Sequence, residues 1–384
     1  MIPYGRQDIS KTDVDAVVKV LRSDFLTQGP KVPSFENAVA KYCNVKHAIA
    51  VNSATSALHL ACLALGLGSG DWLWTSPISF VASANCGLYC GAMIDFVDID
   101  PVTYNMCTKA LQEKLIKAEK LGRLPKIIIP VDFTGQSCDM KAIHLLSIKY
   151  GFKIIEDASH AIGGKYLNKP IGECKYSEIT VFSFHPVKII TSAEGGMALT
   201  NNDELERRMS LLRSHGITRE SDQMTHDSDG QWYYQQVELG FNYRMTDLQA
   251  ALGESQLERL DKFVSKRHKL AKRYDDLLSD LPLTLPYQKN YAYSAFHLYV
   301  IRLDGQQIKS YHRTVFELLR NEGIGVNLHY IPIYSHPYYQ KMGFRPKNFP
   351  ESEAYYSEAI TLPLYPKMLF SEQNKVINAL NKVL

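Results

Sequence analysis

Between residues 48 and 200, short apolar runs alternate with helical patterns, and this alternation constrains the fold more than any other feature of the chain. Ala48–Val51, Trp72–Thr75, Met93–Val97, Lys126–Val131, Lys153–Ile155, Ile179–Phe184 and Met197–Thr200 read as strands. The spacing predicts helices after Asn52 to Leu65, from Ser79, from about Thr108, and over Met140–Tyr150. Repeated β–α units imply a mostly parallel sheet wrapped by helices. In such an α/β fold, ligands sit beyond the carboxyl ends of the strands.

Polar residues gather at those ends. After Val181 come Ser183 and, on a turn closed by Pro186, Lys188. Apolar neighbours crowd this lysine, and a desolvated amine loses its proton more readily, as Schiff-base chemistry requires. Asp157 and His160 follow the strand at Ile155. Phe80 follows Trp72–Thr75. Thr55 and Ser56 open the helix after Val51, where free N–H groups and the positive dipole end make an anion site. Singly, each has a plain structural explanation: a solvated loop cation, a turn cap, a packed histidine, a core phenylalanine, an ordinary helix cap. Jointly, at one sheet edge, they point to pyridoxal phosphate, with Lys188 as the Schiff-base lysine. Asp157 then faces the ring nitrogen, and Thr55, Ser56 and Ser183 face the phosphate.

Outside this region, Ser10–Asp13 is a capping box opening an amphipathic helix whose apolar positions include Val14, Val17, Val18 and Leu21. A second helix is expected from about Pro33 to Tyr42. Residues 218–236 are polar and poorly periodic, and read as a mobile loop. A helix beginning at Thr246 or Asp247 runs through Leu257, and a long Lys/Arg-rich helix follows to about Leu278. Strands at Phe296–Leu303 and Val326–Tyr330, with helices at Arg313–Arg320 and Phe370–Val383, read as a smaller α+β unit. The expected organisation is a large domain over residues 1–260 and a small one over 261–384. The formal net charge of +3, without a basic block, argues against nucleic acid or an anionic membrane as partner. No apolar run approaches the roughly 20 residues of a membrane span, so the expectation is a cytoplasmic protein. Seven cysteines without a Cys-x-x-Cys pair suggest neither a disulfide framework nor a metal site.

Several stretches resemble the DegT/DnrJ/StrS family of sugar-nucleotide aminotransferases over essentially the full length. They are Leu26-Thr-Gln-Gly29, Asn52-Ser-Ala-Thr-Ser-Ala57, Glu156-Asp-Ala-Ser-His160, Ser183-Phe-His-Pro-Val-Lys188 with Glu194-Gly-Gly196, Gly240-Phe-Asn-Tyr-Arg-Met-Thr-Asp-Leu248 and His329-Tyr-Ile-Pro332. The resemblance implies the pyridoxal-phosphate-dependent transferase fold of aspartate aminotransferase type (fold type I). That fold has a mostly parallel seven-stranded sheet in its large domain and a smaller C-terminal α+β domain. Position by position, it implies Lys188 and Asp157 as catalytic residues, His160 at the ring oxygen edge, Phe80 stacked on the ring, and Thr55, Ser56 and Ser183 on the phosphate. Asn242 would reach the neighbouring subunit's cofactor, which makes a homodimer with shared sites obligatory. Tyr4, Leu26, Thr27, Arg244, His329 and Tyr330 match the sugar-nucleotide side. Ser192-Ala193 departs from the commoner Thr-Gly or Thr-Ala without touching a chemical role.

Narrower features, Thr75-Ser-Pro-Ile-Ser-Phe-Val81, His160 and His329-Tyr-Ile-Pro-Ile-Tyr334, resemble one branch of that family. It uses L-glutamate to aminate C4 of a UDP-linked 4-keto-6-deoxy-N-acetylhexosamine in pseudaminic acid biosynthesis. The competing readings are an aminotransferase for another UDP- or TDP-linked keto sugar, and a catalytically silent protein that binds the cofactor or a sugar nucleotide. Lys188 argues against the family's 3-dehydratase branch, which lacks the Schiff-base lysine.

Overall fold

A computed structural model describes residues 1–304 and 308–384. The seven expected runs form one sheet. Its spatial order is His47–Val51, Gly196–Thr200, Ile179–Ser183, Lys153–Asp157, Ile127–Ile129, Trp72–Thr75 and Met93–Phe96. All pairings are parallel except those of Gly196–Thr200, which runs antiparallel to both neighbours. Ile179–Ser183 and Gly196–Thr200 are buried along their whole length. A parallel sheet covered on both faces requires such continuous apolar runs, and each fully buried Val or Phe contributes about 1.5–3 kcal/mol. The outer strand Met93–Phe96 is protected from edge pairing: Asp95 accepts from the Phe96 N–H, and the Lys114 ammonium donates to the Phe96 carbonyl.

A second core gathers Leu270, Tyr274, Tyr299, Ile301, Ile360 and Leu380 around the three-stranded sheet Leu283–Thr284, Tyr299–Leu303 and Ala359–Leu362. The N-terminal strand Ile2–Pro3 joins this core by pairing with Ile324–Gly325. Tyr4, the next residue, therefore sits between the two cores, where its carbonyl accepts from the Leu364 N–H.

Several local expectations change. The helix Lys11–Leu21 does not bury its valine stripe: Val14 and Leu21 are exposed, while Asp13 and Val20 are buried. Asp13 accepts from Ser255 Oγ (2.6 Å), Gln256 Nε2 (2.8 Å) and Arg259, so a polar network docks this helix. The helix expected from Ser79 begins at Ala82, which leaves Phe80 on the preceding turn. Val326–Tyr330 is not a strand; only Asn327 bridges Thr361, and the backbone then turns to carry His329 and Tyr330 inward. At the ends of the loop 218–236, Ile217–Thr218 pairs with Gln235–Gln236, and within it His226 is bonded to Tyr233.

Candidate active site

A cavity of about 550 Å³ opens beyond the carboxyl ends of the central strands, between the two cores. A larger groove of about 720 Å³ flanks the outer strand beside Phe344 and Phe349, but its Lys114 is already bound to Asp95. Lys188, Asp157, His160, Phe80 and Ser183 line the smaller cavity from the sheet side. Tyr4, His329 and Tyr330 line it from the other.

Asp157 ends the strand Lys153–Asp157, and its backbone N–H donates to the Pro130 carbonyl (2.9 Å). Its Oδ2 accepts from Ser83 Oγ (2.7 Å), and its Oδ1 accepts from Ser159 Oγ (2.6 Å) and Ser159 N–H (3.2 Å). Three donors thus fix a buried carboxylate in one orientation. Ser83 bonds in turn to Ser79 (2.7 Å). Neither serine was expected in the site; Ser83 lies in the helix Ala82–Tyr89 and Ser79 on the turn that precedes it.

Lys188 sits on a turn closed by its own N–H to the His185 carbonyl (2.9 Å). Its side chain faces the cavity and keeps some exposed surface, but protein surrounds the amine. Burial pulls the amine down to about 8, and the attraction of Asp157 opposes that shift.

His160 is buried, with its Nε2 3.2 Å from the Tyr330 hydroxyl and its Nδ1 without a partner among the described residues. Burial, then Lys188 and His329, push it well below the ordinary imidazole range. His329 is lowered to about 3, mainly by burial and then by Lys188, and its Nδ1 bonds to Thr361 Oγ1 (3.0 Å). Burial raises the Tyr330 hydroxyl above its usual range. At working pH the site therefore holds neutral imidazoles, a neutral phenol and an amine that titrates within reach of neutrality.

The helix Ala54–Ala64 points its N-terminus at the cavity, with Ser53, Ala54 and Thr55 on the lining. Gly196 makes this approach possible, since a Cβ there would lie 2.4 Å from the Ala54 nitrogen. Thr55 and Ser56 were expected together, but the structure separates them. Ser56 occupies the third helical position, where its N–H donates to the Ser53 cap and its hydroxyl to Asn52 Oδ1 (2.6 Å), outside the lining.

Four other expected residues also lie outside the cavity of the single chain. Arg244 donates to Ser214 Oγ (2.9 Å), Thr27 bridges Thr246, and the Leu26 carbonyl accepts from Asp247 N–H (3.0 Å). Asn242 is exposed, and its carbonyl accepts from Asn52 Nδ2 (3.4 Å). They form one outer face beside the helix N-terminus. On the elements flanking it, Leu26, Tyr89 and Leu239 expose 47%, 56% and 79% of their surface.

Residues 7–381 match the DegT/DnrJ/EryC1/StrS aminotransferase family. The chain belongs to that family. This DegT-family aminotransferase is 38% identical over 386 residues to the UDP-4-amino-4,6-dideoxy-N-acetyl-beta-L-altrosamine transaminase of Campylobacter jejuni, covering 100% of this chain and 98% of that one. Helicobacter pylori PseC, an aminotransferase involved in the biosynthesis of pseudoaminic acid, superposes with a TM-score of 0.91 at 34% identity, over 100% and 98% of the two chains. Spr1654 of Streptococcus pneumoniae, in its PMP form, superposes with a TM-score of 0.91 at 28% identity over 100% of both chains, and is also solved in a PLP form. The fold is that of the pyridoxal-phosphate-dependent transferases, and the chain is a sugar aminotransferase that uses this cofactor. Its own residues fit the group: a buried amine near its neutral form, a triply anchored carboxylate, an orphaned imidazole nitrogen and an open helix N-terminus share one cavity.

Proposed function

We propose that the chain transfers the amino group of L-glutamate to C4 of a UDP-linked 4-keto-6-deoxy-N-acetylhexosamine, UDP-2-acetamido-2,6-dideoxy-beta-L-arabino-hexos-4-ulose, as a step of pseudaminic acid biosynthesis. The observation that carries this reading is the cavity itself. It combines Lys188 and Asp157 with a substrate side of Tyr4, His329 and Tyr330, in a chain whose full-length relatives are named for that transamination.

Lys188 holds the cofactor, Asp157 faces its ring nitrogen, His160 its ring oxygen edge, and Phe80 covers the ring. Thr55 and Ser183 hold the phosphate, with Ser56 supporting them through the Ser53–Asn52 cap. Bound pyridoxal phosphate supplies an electron sink and carries the amino group between the two half-reactions. Lys188 takes a proton from the α-carbon of L-glutamate and later returns one to C4 of the keto sugar. An amine near 8 suits both tasks, because its neutral and charged forms are both accessible. Asp157, fixed by Ser83 and Ser159, would hold a proton on the ring nitrogen. The neutral imidazoles of His160 and His329 serve as hydrogen-bonding groups without adding positive charge beside Lys188. The outer face carrying Asn242, Arg244, Leu26 and Thr27 is directed at a second copy of the chain, so that Asn242 completes the partner's phosphate site. Leu26, on this face, and Tyr89 and Leu239, on elements beside it, are exposed apolar side chains that a second copy would cover.

A panel of UDP- and TDP-linked 4-keto sugars offered with L-glutamate tests the assignment. Amination of the UDP-linked N-acetylated 4-keto sugar at C4, in preference to the TDP-linked ones, is the expected result. Preference for a 3-keto or TDP-linked sugar overturns the substrate and leaves the aminotransferase chemistry standing.

A further inference from the structure

His297 was not among the expected site residues, yet its ring lines the cavity. It is 4% exposed, and its centroid lies 4.4 Å from that of His160, with the planes tilted by 51°. The Nδ1 atoms of both rings lack hydrogen-bond partners among the described residues. No hydrogen bond therefore fixes the His160 ring from its Nδ1 side; beyond the Tyr330 contact at Nε2, the rings of His297 and, farther off at 6.0 Å, Phe133 bound it.

The turn that presents His297 is held from three directions. The Ala295 N–H donates to the Gly135 carbonyl (2.9 Å) and the Leu298 N–H to the Thr134 carbonyl (3.2 Å). Gly135 has a φ of +106°, and a Cβ there would come 2.9 Å from the Phe296 nitrogen and 3.0 Å from the His160 carbonyl. This loop therefore passes between the backbones that carry the two imidazoles. From the long helix Leu260–Leu278, Arg267 Nη1 donates to the carbonyls of Phe296 (3.1 Å), His297 (3.2 Å) and Leu364 (2.9 Å). Arg267 is fully buried, and among the described residues it forms no ion pair. Burying a guanidinium without a carboxylate is costly, and a well-packed aliphatic side chain would be cheaper. What the guanidinium adds is one terminal nitrogen, Nη1, that reaches all three carbonyls, together with a positive charge behind His297.

We propose that His297, clamped by Arg267, is a positioning residue that holds the His160 ring in the single orientation used by the amination site. The charged and titratable groups facing the pair are Lys188 and Asp157 on the sheet side, His329 and Tyr330 across the cavity, and Arg267 behind. Burial first, and then these cationic and imidazole neighbours, keep both rings neutral, so each can present one donor and one acceptor. The ring contact selects which nitrogen faces inward.

The inference rests on the site reading given above, and its test separates the two. Apoprotein labelled with ¹⁵N-histidine reports the tautomer of His160, and the loss of visible absorbance on adding L-glutamate to holoenzyme reports the first half-reaction. Wild type is expected to show one His160 tautomer across pH 6–8. His297→Leu removes the flat ring and is expected to give mixed tautomers and a half-reaction at least tenfold slower, with glutamate affinity within about twofold. His297→Phe keeps the ring and should restore both the single tautomer and a rate within about threefold of wild type. An unmoved His160 spectrum in His297→Leu overturns the proposal. So does a His297→Phe enzyme as slow as the leucine variant, because His297 would then act through its nitrogens. Should His297→Leu not fold, Arg267→Met keeps an unbranched side chain and loses the Nη1 donors, and an unchanged spectrum and rate in that variant overturns the clamp. Lys188→Ala, measured alongside, addresses the site itself: full turnover there overturns the amination site, whereas lost turnover with an unmoved His160 overturns only the positioning role.

Discussion

Asp157→Asn should change the reactivity of Lys188 and the turnover of the enzyme in opposite directions. Burial lowers the Lys188 amine to about 8 even though Asp157 pulls it upward. At pH 7, about one such amine in eleven is neutral. A nearby opposite charge commonly holds an ionisable group by about 1–3 units, so its removal brings Lys188 to about 7 or lower. The neutral fraction at pH 7 then rises to about half or more, which gives a gain of at least about fivefold. The gain saturates near elevenfold, once every amine is neutral. Asparagine keeps the shape of the side chain and can still accept from Ser83 or Ser159, whose hydroxyls rotate to suit. The assay is the rate at which a small acylating reagent modifies Lys188 in apoprotein, followed by peptide mass spectrometry from pH 6 to 10. The wild-type profile should have its midpoint near 8, and the variant's should move to about 7 or below. In holoenzyme the same substitution removes the carboxylate proposed to face the ring nitrogen, so turnover should fall while apoprotein labelling accelerates. A damaged fold would not produce these opposed signs together. Labelling at pH 7 that is unchanged or slower in Asp157→Asn would refute the pairing of Asp157 with Lys188.

Lys188→Ala should retain pyridoxal phosphate and sugar-nucleotide binding while losing at least the 10²–10⁴-fold that positioned proton transfer typically contributes; binding by calorimetry and turnover by 2-oxoglutarate release check this. Mixing Lys188→Ala with Asn242→Ala subunits should rebuild one intact site per heterodimer if Asn242 completes its partner's site, and no recovery of activity on mixing counts against that placement. Asp13→Ala should destabilise the chain by about 3–5 kcal/mol in urea unfolding, because Arg259, Ser255 and Gln256 lose a fully buried acceptor; a loss below about 1 kcal/mol would mean that the network does not dock the first helix.

The residues legible in the sequence share one property: chain direction alone decides where they lie. Asp157 and Ser183 end strands of the sheet, and Thr55 opens the helix just beyond Val51, so recognising the β–α alternation already brings them to one edge. Lys188 needs only the additional turn at Pro186. Residues that depend on long-range docking were harder to read. Ser83 looks like the interior of a small-residue helix, and nothing local says that its hydroxyl anchors Asp157 across the sheet. His297 falls inside an apparently regular strand pattern, whereas Phe296 adopts a φ of +47° and strand pairing begins only at Tyr299. The valine stripe of the first helix misled for the converse reason. Periodicity identifies an apolar face but not what covers it, and here the buried side of the helix is organised by Asp13. The same distinction separates the chemistry from its selectivity. The lysine and carboxylate sit at the edge of a single sheet, but Tyr4, His329 and Tyr330 belong to segments anchored in the second core, through the Tyr4 carbonyl to Leu364 and Thr361 to His329. A change in how these segments meet the sheet would therefore alter which sugar fits before it altered whether Lys188 can work, and substitutions at Tyr4 or Tyr330 should shift substrate preference more than the glutamate half-reaction, in contrast to those at His297.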